Sequence, residues 1–121
     1  MYRVKNFIRN VKRVFHWLPI IWKDRDWDYY FIYEMLKQKL IRVEAYILKD
    51  GIHLFNEADA ASIRKAIEMI EEVQYEYHID KFLSESKDWD NDKMMKAIED
   101  HDKARKDLFE YLSNNIDQWW D

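Results

Sequence analysis

The 121 residues contain one glycine, Gly51, and one proline, Pro19. Tight chain reversals draw on conformations that glycine reaches without steric cost and that proline presets, so a chain nearly devoid of both makes few turns and long elements. A sheet protein of this length would need many more turn residues. The expectation is an all-α bundle of about four helices in one domain, 1–121. The 48% hydrophobic content is enough to build its core.

Helical periodicity marks the helices. Val4, Phe7, Ile8, Val11, Val14, Phe15 and Leu18 recur at i, i+3, i+4 and i+7, with Lys5, Arg9, Lys12, Arg13 and His16 opposite; Pro19 is expected to end this first helix. A second helix is predicted from a cap at Asp24 or Asp26 to about Lys49, where Asp50-Gly51 is a stop signal. Its stripe is Tyr29, Tyr33, Leu36, Leu40, Val43 and Ile47. A third runs from Asn56 to about Leu83 with Ile63, Ala66, Ile67, Ile70, Val73 and Tyr77 on one side. Polar residues 84–91 read as a loop, and a fourth helix runs from Asp92 into Trp119-Trp120, with Met94, Ile98, His101, Leu108, Leu112 and Trp119 inward. Six Trp, eight Tyr and six Phe exceed what these stripes use, so a homo-oligomer interface is expected.

Charge divides the chain. The first 23 residues hold six of its 20 basic residues and none of its 24 acidic ones, leaving 14 basic against 24 acidic, a formal −10 beside a +6 head. This asymmetry points either to an anionic partner or to docking on the acidic remainder. For the basic helix, one reading is that its apolar side closes the bundle. The other is that it meets a membrane surface, an acidic protein, a nucleic acid or a nucleotide. Extended nucleic acid is disfavoured, because a chain with pI ≈ 5.6 repels a phosphate backbone. No apolar run is long enough for a membrane span. The absence of cysteine excludes disulfides, thiolate catalysis and Cys-based zinc sites, and the basic N-terminus lacks a secretory apolar core. A soluble intracellular protein is expected.

The most unusual segment is Ile20-Ile21-Trp22-Lys23-Asp24-Arg25-Asp26-Trp27-Asp28. An arginine between carboxylates and indoles suits phosphate clamping and base stacking; it equally suits a capped helix start with both indoles in the core. In the first reading Arg3, Arg9, Arg13, Arg25 and Arg105 supply charge to an anionic ligand while Trp22, Trp27 and Tyr29 stack, with no cofactor and no catalytic residue. Acidic pairs offer an alternative. Glu68-x-x-Glu71 and Glu99-x-x-Asp102 each place two carboxylates on one helix face, a spacing that holds magnesium when two such faces meet. This pattern resembles the MazG-type nucleotide pyrophosphohydrolases, which implies a magnesium-dependent cleavage of nucleoside triphosphates. Glu85-x-x-Asp88 fits the same spacing, as expected by chance on solvated faces of a chain that is 36% charged. The Glu-x-x-His pairs of a di-iron bundle are absent around His16, His53, His78 and His101.

Together with Lys103-Ala104-Arg105-Lys106-Asp107-Leu108-Phe109, the terminal Trp119-Trp120-Asp121 and Glu57-Ala58-Asp59, the Trp22–Trp27 segment resembles a family of small all-helical accessory proteins of tailed phages, whose activity is unsettled. The resemblance carries over no catalytic residue. It implies the cytoplasm of an infected bacterial host and a counter-defence role. The expected function is therefore non-catalytic sequestration of an anionic nucleotide-like ligand. The alternatives are an inhibitor docking on a host enzyme through its aromatic surface, and the pyrophosphohydrolase.

Overall fold

The computed structural model describes residues 2–24, 29–50, 56–85 and 88–119. They form five α-helices and no strand: α1 (Tyr2–Lys23), α2 (Tyr29–Asp50), α3 (Asn56–Gln74), α4 (Tyr77–Glu85) and α5 (Asn91–Asn115), followed by a 3₁₀ turn at Ile116–Gln118. The fold is all-α. Its centre is α3, whose Ile63, Ala66, Ile67, Ile70 and Val73 are all buried. Tyr33, Leu40 and Ile47 of α2 close over this stripe from one side, and Leu108 and Leu112 of α5 from the other.

Several boundaries differ from the sequence reading. Pro19 lies inside α1, which continues to Lys23. A proline removes one donor and crowds the turn before it, which weakens a helix without necessarily ending it. The expected long third helix is two helices. Glu76 takes the left-handed conformation, φ 51°. Its N–H bonds Val73 O at 3.1 Å, while its own carbonyl accepts from Ile79 and Asp80 at 3.0 and 2.9 Å, so one residue ends α3 and starts α4. That conformation costs a non-glycine residue about 1–2 kcal/mol. Tyr29 of α2 donates to the Glu76 carboxylate, and the turn lets α4 bury Phe82 and lie against α5. These are tertiary gains that helical periodicity does not display.

The last helix starts one residue earlier than expected, capped by Asp90, whose side chain accepts from Asp92 N at 3.0 Å and Lys93 N at 3.3 Å. It stops at Asn115 instead of running into Trp119. The 3₁₀ turn swings Trp119 back into the core, where it is 1% exposed. Its Nε1–H donates to Ser62 Oγ at 3.1 Å, and Tyr111 donates to the Ser62 carbonyl at 2.9 Å, so α3 holds the C-terminal end through one serine. Arg25, Asp26, Trp27, Asp28, Gly51, His53, Trp120 and Asp121 lie outside the described residues.

Stability should follow this layout. Ile67→Ala is expected to cost about 4 kcal/mol, since it opens a cavity between three helices. Ile32→Ala, at a site 67% exposed, is expected to cost less than ~0.5 kcal/mol. Urea unfolding of both variants checks the contrast.

Candidate functional site

No residue of α1 is buried. The element it packs on is α2, and along its length the half-buried positions are few, among them Val11, His16, Trp17 and Ile20. Its apolar side therefore does not close the bundle. Phe7, Phe15 and Trp22 are 69%, 67% and 84% exposed, and Val4, Ile8, Val14, Leu18 and Ile21 are exposed with them. The spacing is regular: Val4, Phe7 and Ile8 are followed seven residues later by Val11, Val14 and Phe15, then by Leu18, Ile21 and Trp22. Ile21 and Trp22 were legible as members of this face from the repeat; the expected stop at Pro19 hid them.

The opposite side is cationic. Lys5, Arg9, Lys12, Arg13 and Lys23 are exposed there, and Arg3 stands at the edge of the apolar face. Arg9 donates to Asn6 Oδ1 at 2.7 Å. Among the described residues no carboxylate pairs with any of these six cations. Arg3 and Arg13 are separated by roughly 15 Å along the helix, and Arg3 and Trp22 by roughly 28 Å, at 1.5 Å per residue. These groups do not meet around one small ligand. Arg105 sits on α5 beside Asp102, Nη2 to Oδ1 3.6 Å. Tyr29 opens α2 and donates to Glu76. Arg25 and Trp27, which would complete the expected cluster, lie outside the described residues.

Two grooves of the body are mainly acidic, while a third carries Lys81, Lys93 and Lys96 beside Glu85, Asp92 and Asp100. One of about 740 Å³ between α3 and α4 is walled by Glu68, Glu71, Glu72 and Asp80, with Tyr75 and Tyr77. Another of about 820 Å³ is lined by Glu85, Asp88 and Asp90 around Trp89 and Phe82. The four carboxylates of the magnesium alternative do not converge. Glu68 and Glu99 each point away from the core-facing side of their helix, and Asp102 has Arg105 beside it. Among the described residues no three His, Asp or Glu side chains are arranged to hold a metal.

One buried ionic cluster escaped the sequence reading. Lys37, 5% exposed, lies on the core side of α2 with Nζ 3.2 Å from Glu34 Oε2 and 2.7 Å from the Tyr75 hydroxyl. Gln74 of α3 donates to Glu34 Oε2 at 2.7 Å, and Gln38 to Oε1 at 3.0 Å. Burial works to raise the Glu34 pKa, but the hydrogen bonds from Gln74, Gln38 and Lys37 outweigh it and hold the carboxyl below its ordinary 4.5. Burial likewise works to lower Lys37, and its contacts to Tyr75 and Glu34 prevail, raising it above 10.5. A lysine nucleophile needs a depressed pKa. This one is a structural cation tying α2 to the end of α3.

No family model matches the chain, and no curated protein or solved structure matches it significantly.

The cluster has a pH signature. A depressed carboxyl contributes stability that is full above 4.5 and lost as pH falls through its folded value; a raised amine contributes below 10.5 and loses it as pH climbs through its folded value. Lys37→Met should therefore cost roughly 3 kcal/mol at neutral pH, as for breaking a buried pair. That cost should shrink as Glu34 protonates in acid. Urea titrations across pH 3–8 on the order of one-unit steps resolve the shift.

Proposed function

We propose that this is a non-catalytic docking protein whose working part is α1 and whose partner presents an anionic surface. One observation carries the reading: a 22-residue helix with six cations and no acid leaves its apolar face, all but Val11, exposed to solvent. Soluble monomers rarely expose contiguous apolar patches beyond a few hundred Å², and larger ones mark interaction sites. A small ligand is held in a concave site that surrounds it. The α1 cations instead line a convex surface longer than a mononucleotide. The two mainly acidic grooves of the body repel such a ligand as well.

The resemblance to phage accessory proteins supports a setting inside an infected bacterium, where an α1-mediated contact would serve host interaction or counter-defence. The inhibitor reading shares this docking geometry. Nucleotide sequestration keeps a separate support in the exposed Trp22 and Tyr29, which flank the segment holding Arg25 and Trp27.

A chain of net charge −4 should pass through a sulfonate cation exchanger at pH 7 if its charge were evenly spread. With α1 standing apart it should be retained at low salt and released as salt screens it. Reversing three charges, Arg9→Glu with Lys12→Glu and Arg13→Glu, should abolish retention. Flow-through of the unmodified protein would reject an exposed anion-binding helix. Saturable heat on titrating mono-, di- or cyclic nucleotides would favour sequestration instead.

A further inference from the structure

We infer that the anionic surface is a lipid bilayer, and that α1 lies in its plane as an interfacial helix. The inference rests on the docking reading above and names its partner. Whatever covers α1 must accept an apolar stripe running about 27 Å from Val4 to Trp22, at 1.5 Å per residue. It must also meet cations, five of them between Arg3 and Arg13 and one at Lys23. A bilayer with anionic headgroups does both without a matching groove. Phe7, Phe15, Leu18 and Trp22 enter the boundary between headgroups and acyl chains, while lysines and arginines extend along their stems to the phosphates. A helix of strong amphipathicity and low overall hydrophobicity, basic on one side and bearing Phe, Leu and Trp on the other, has the composition of such helices. Spanning is excluded for α1, which is not apolar enough to cross a membrane.

Protein partners within this chain fit less well. Two copies of α1 laid apolar face to apolar face would leave all twelve cations without a carboxylate to pair them across the seam, whereas helix pairs select partners through opposite flanking charges. The groove between α3 and α4 of a second copy has the right sign. Its aromatic lining is two rings, Tyr75 and Tyr77, set among Glu68, Glu71, Glu72, Asp80 and Lys81, a short patch beside three repeats of apolar side chains. The acidic remainder of the chain, formally −10, is itself repelled by anionic lipid. Contact is thus limited to α1, and the body stays in water, where its charge is screened within ~8–10 Å at ordinary salt.

The experiment is co-sedimentation of the full-length protein with vesicles of phosphatidylcholine and phosphatidylglycerol in equal parts, alongside pure phosphatidylcholine. Binding is expected to the anionic vesicles, reversed by high salt, and absent on the neutral ones. Charge reversal at Arg9, Lys12 and Arg13 should weaken partitioning by more than roughly a hundredfold, since each basic residue lost near an anionic surface is worth about fivefold and each carboxylate gained adds repulsion. Phe7→Gln with Phe15→Gln should abolish vesicle binding while leaving retention on the cation exchanger and the melting curve unchanged, because the charge of α1 is kept and neither ring contributes to the core. Retention on the exchanger without binding to anionic vesicles overturns the lipid assignment and leaves the docking reading standing. Loss of both overturns both. A dimer by light scattering that Phe7→Gln with Phe15→Gln dissolves, without vesicle binding, assigns α1 to a second copy and overturns the lipid assignment too.

Discussion

Everything in the body depends on α3 being covered from both flanks at once. Its isoleucines reach complete burial only because α2 and α5 converge on the same stripe. Each such side chain gains about 1.5–3 kcal/mol by leaving water. That gain offsets the unfavourable features the fold contains: a left-handed Glu76, a buried lysine, and a helix cut short to return an indole to the core. None of these would persist on an isolated helix pair.

Polar contacts then set the registry that apolar contact leaves loose. At one end of α2 the Glu34–Lys37–Tyr75–Gln74 cluster allows few arrangements, since each member satisfies another. Further along the pair Arg64 forks onto Glu44, with Nε to Oε2 at 2.9 Å. The Ser62–Tyr111–Trp119 contacts fix α5 and the turn after it against α3. Such bonds are worth little net energy when made, but leaving a buried partner unsatisfied is expensive. They therefore select one packing among several that hydrophobicity would allow.

α1 stands outside this economy. It contributes no buried residue, and its charge is opposite to that of the remainder. Division of labour follows: an acidic, closed scaffold and a basic, open helix. The expected ligand cluster was drawn from both parts, and the structure spreads its described members over α1, the start of α2 and the outer side of α5. Residue types suited to one chemistry do not form a site unless the backbone brings them within reach of one another.

The sequence by itself determined the class of fold, because a chain with one glycine and one proline has few ways to turn. It also determined which sides of α2, α3 and α5 face inward, since period-3.6 stripes of Ile, Leu and Val have one low-energy orientation. The basic, acid-free character of α1 was equally plain. Only the tertiary structure decided that the third helix breaks at Glu76, that Lys37 is buried, and that Trp119 folds back instead of extending α5. Each is a local sacrifice offset by contacts with residues distant in the chain, which no local pattern records. The same holds for α1. An apolar stripe shows that a helix seeks a partner, but whether the rest of the chain supplies one depends on which faces remain open, and here α2 and α5 had already taken those of α3.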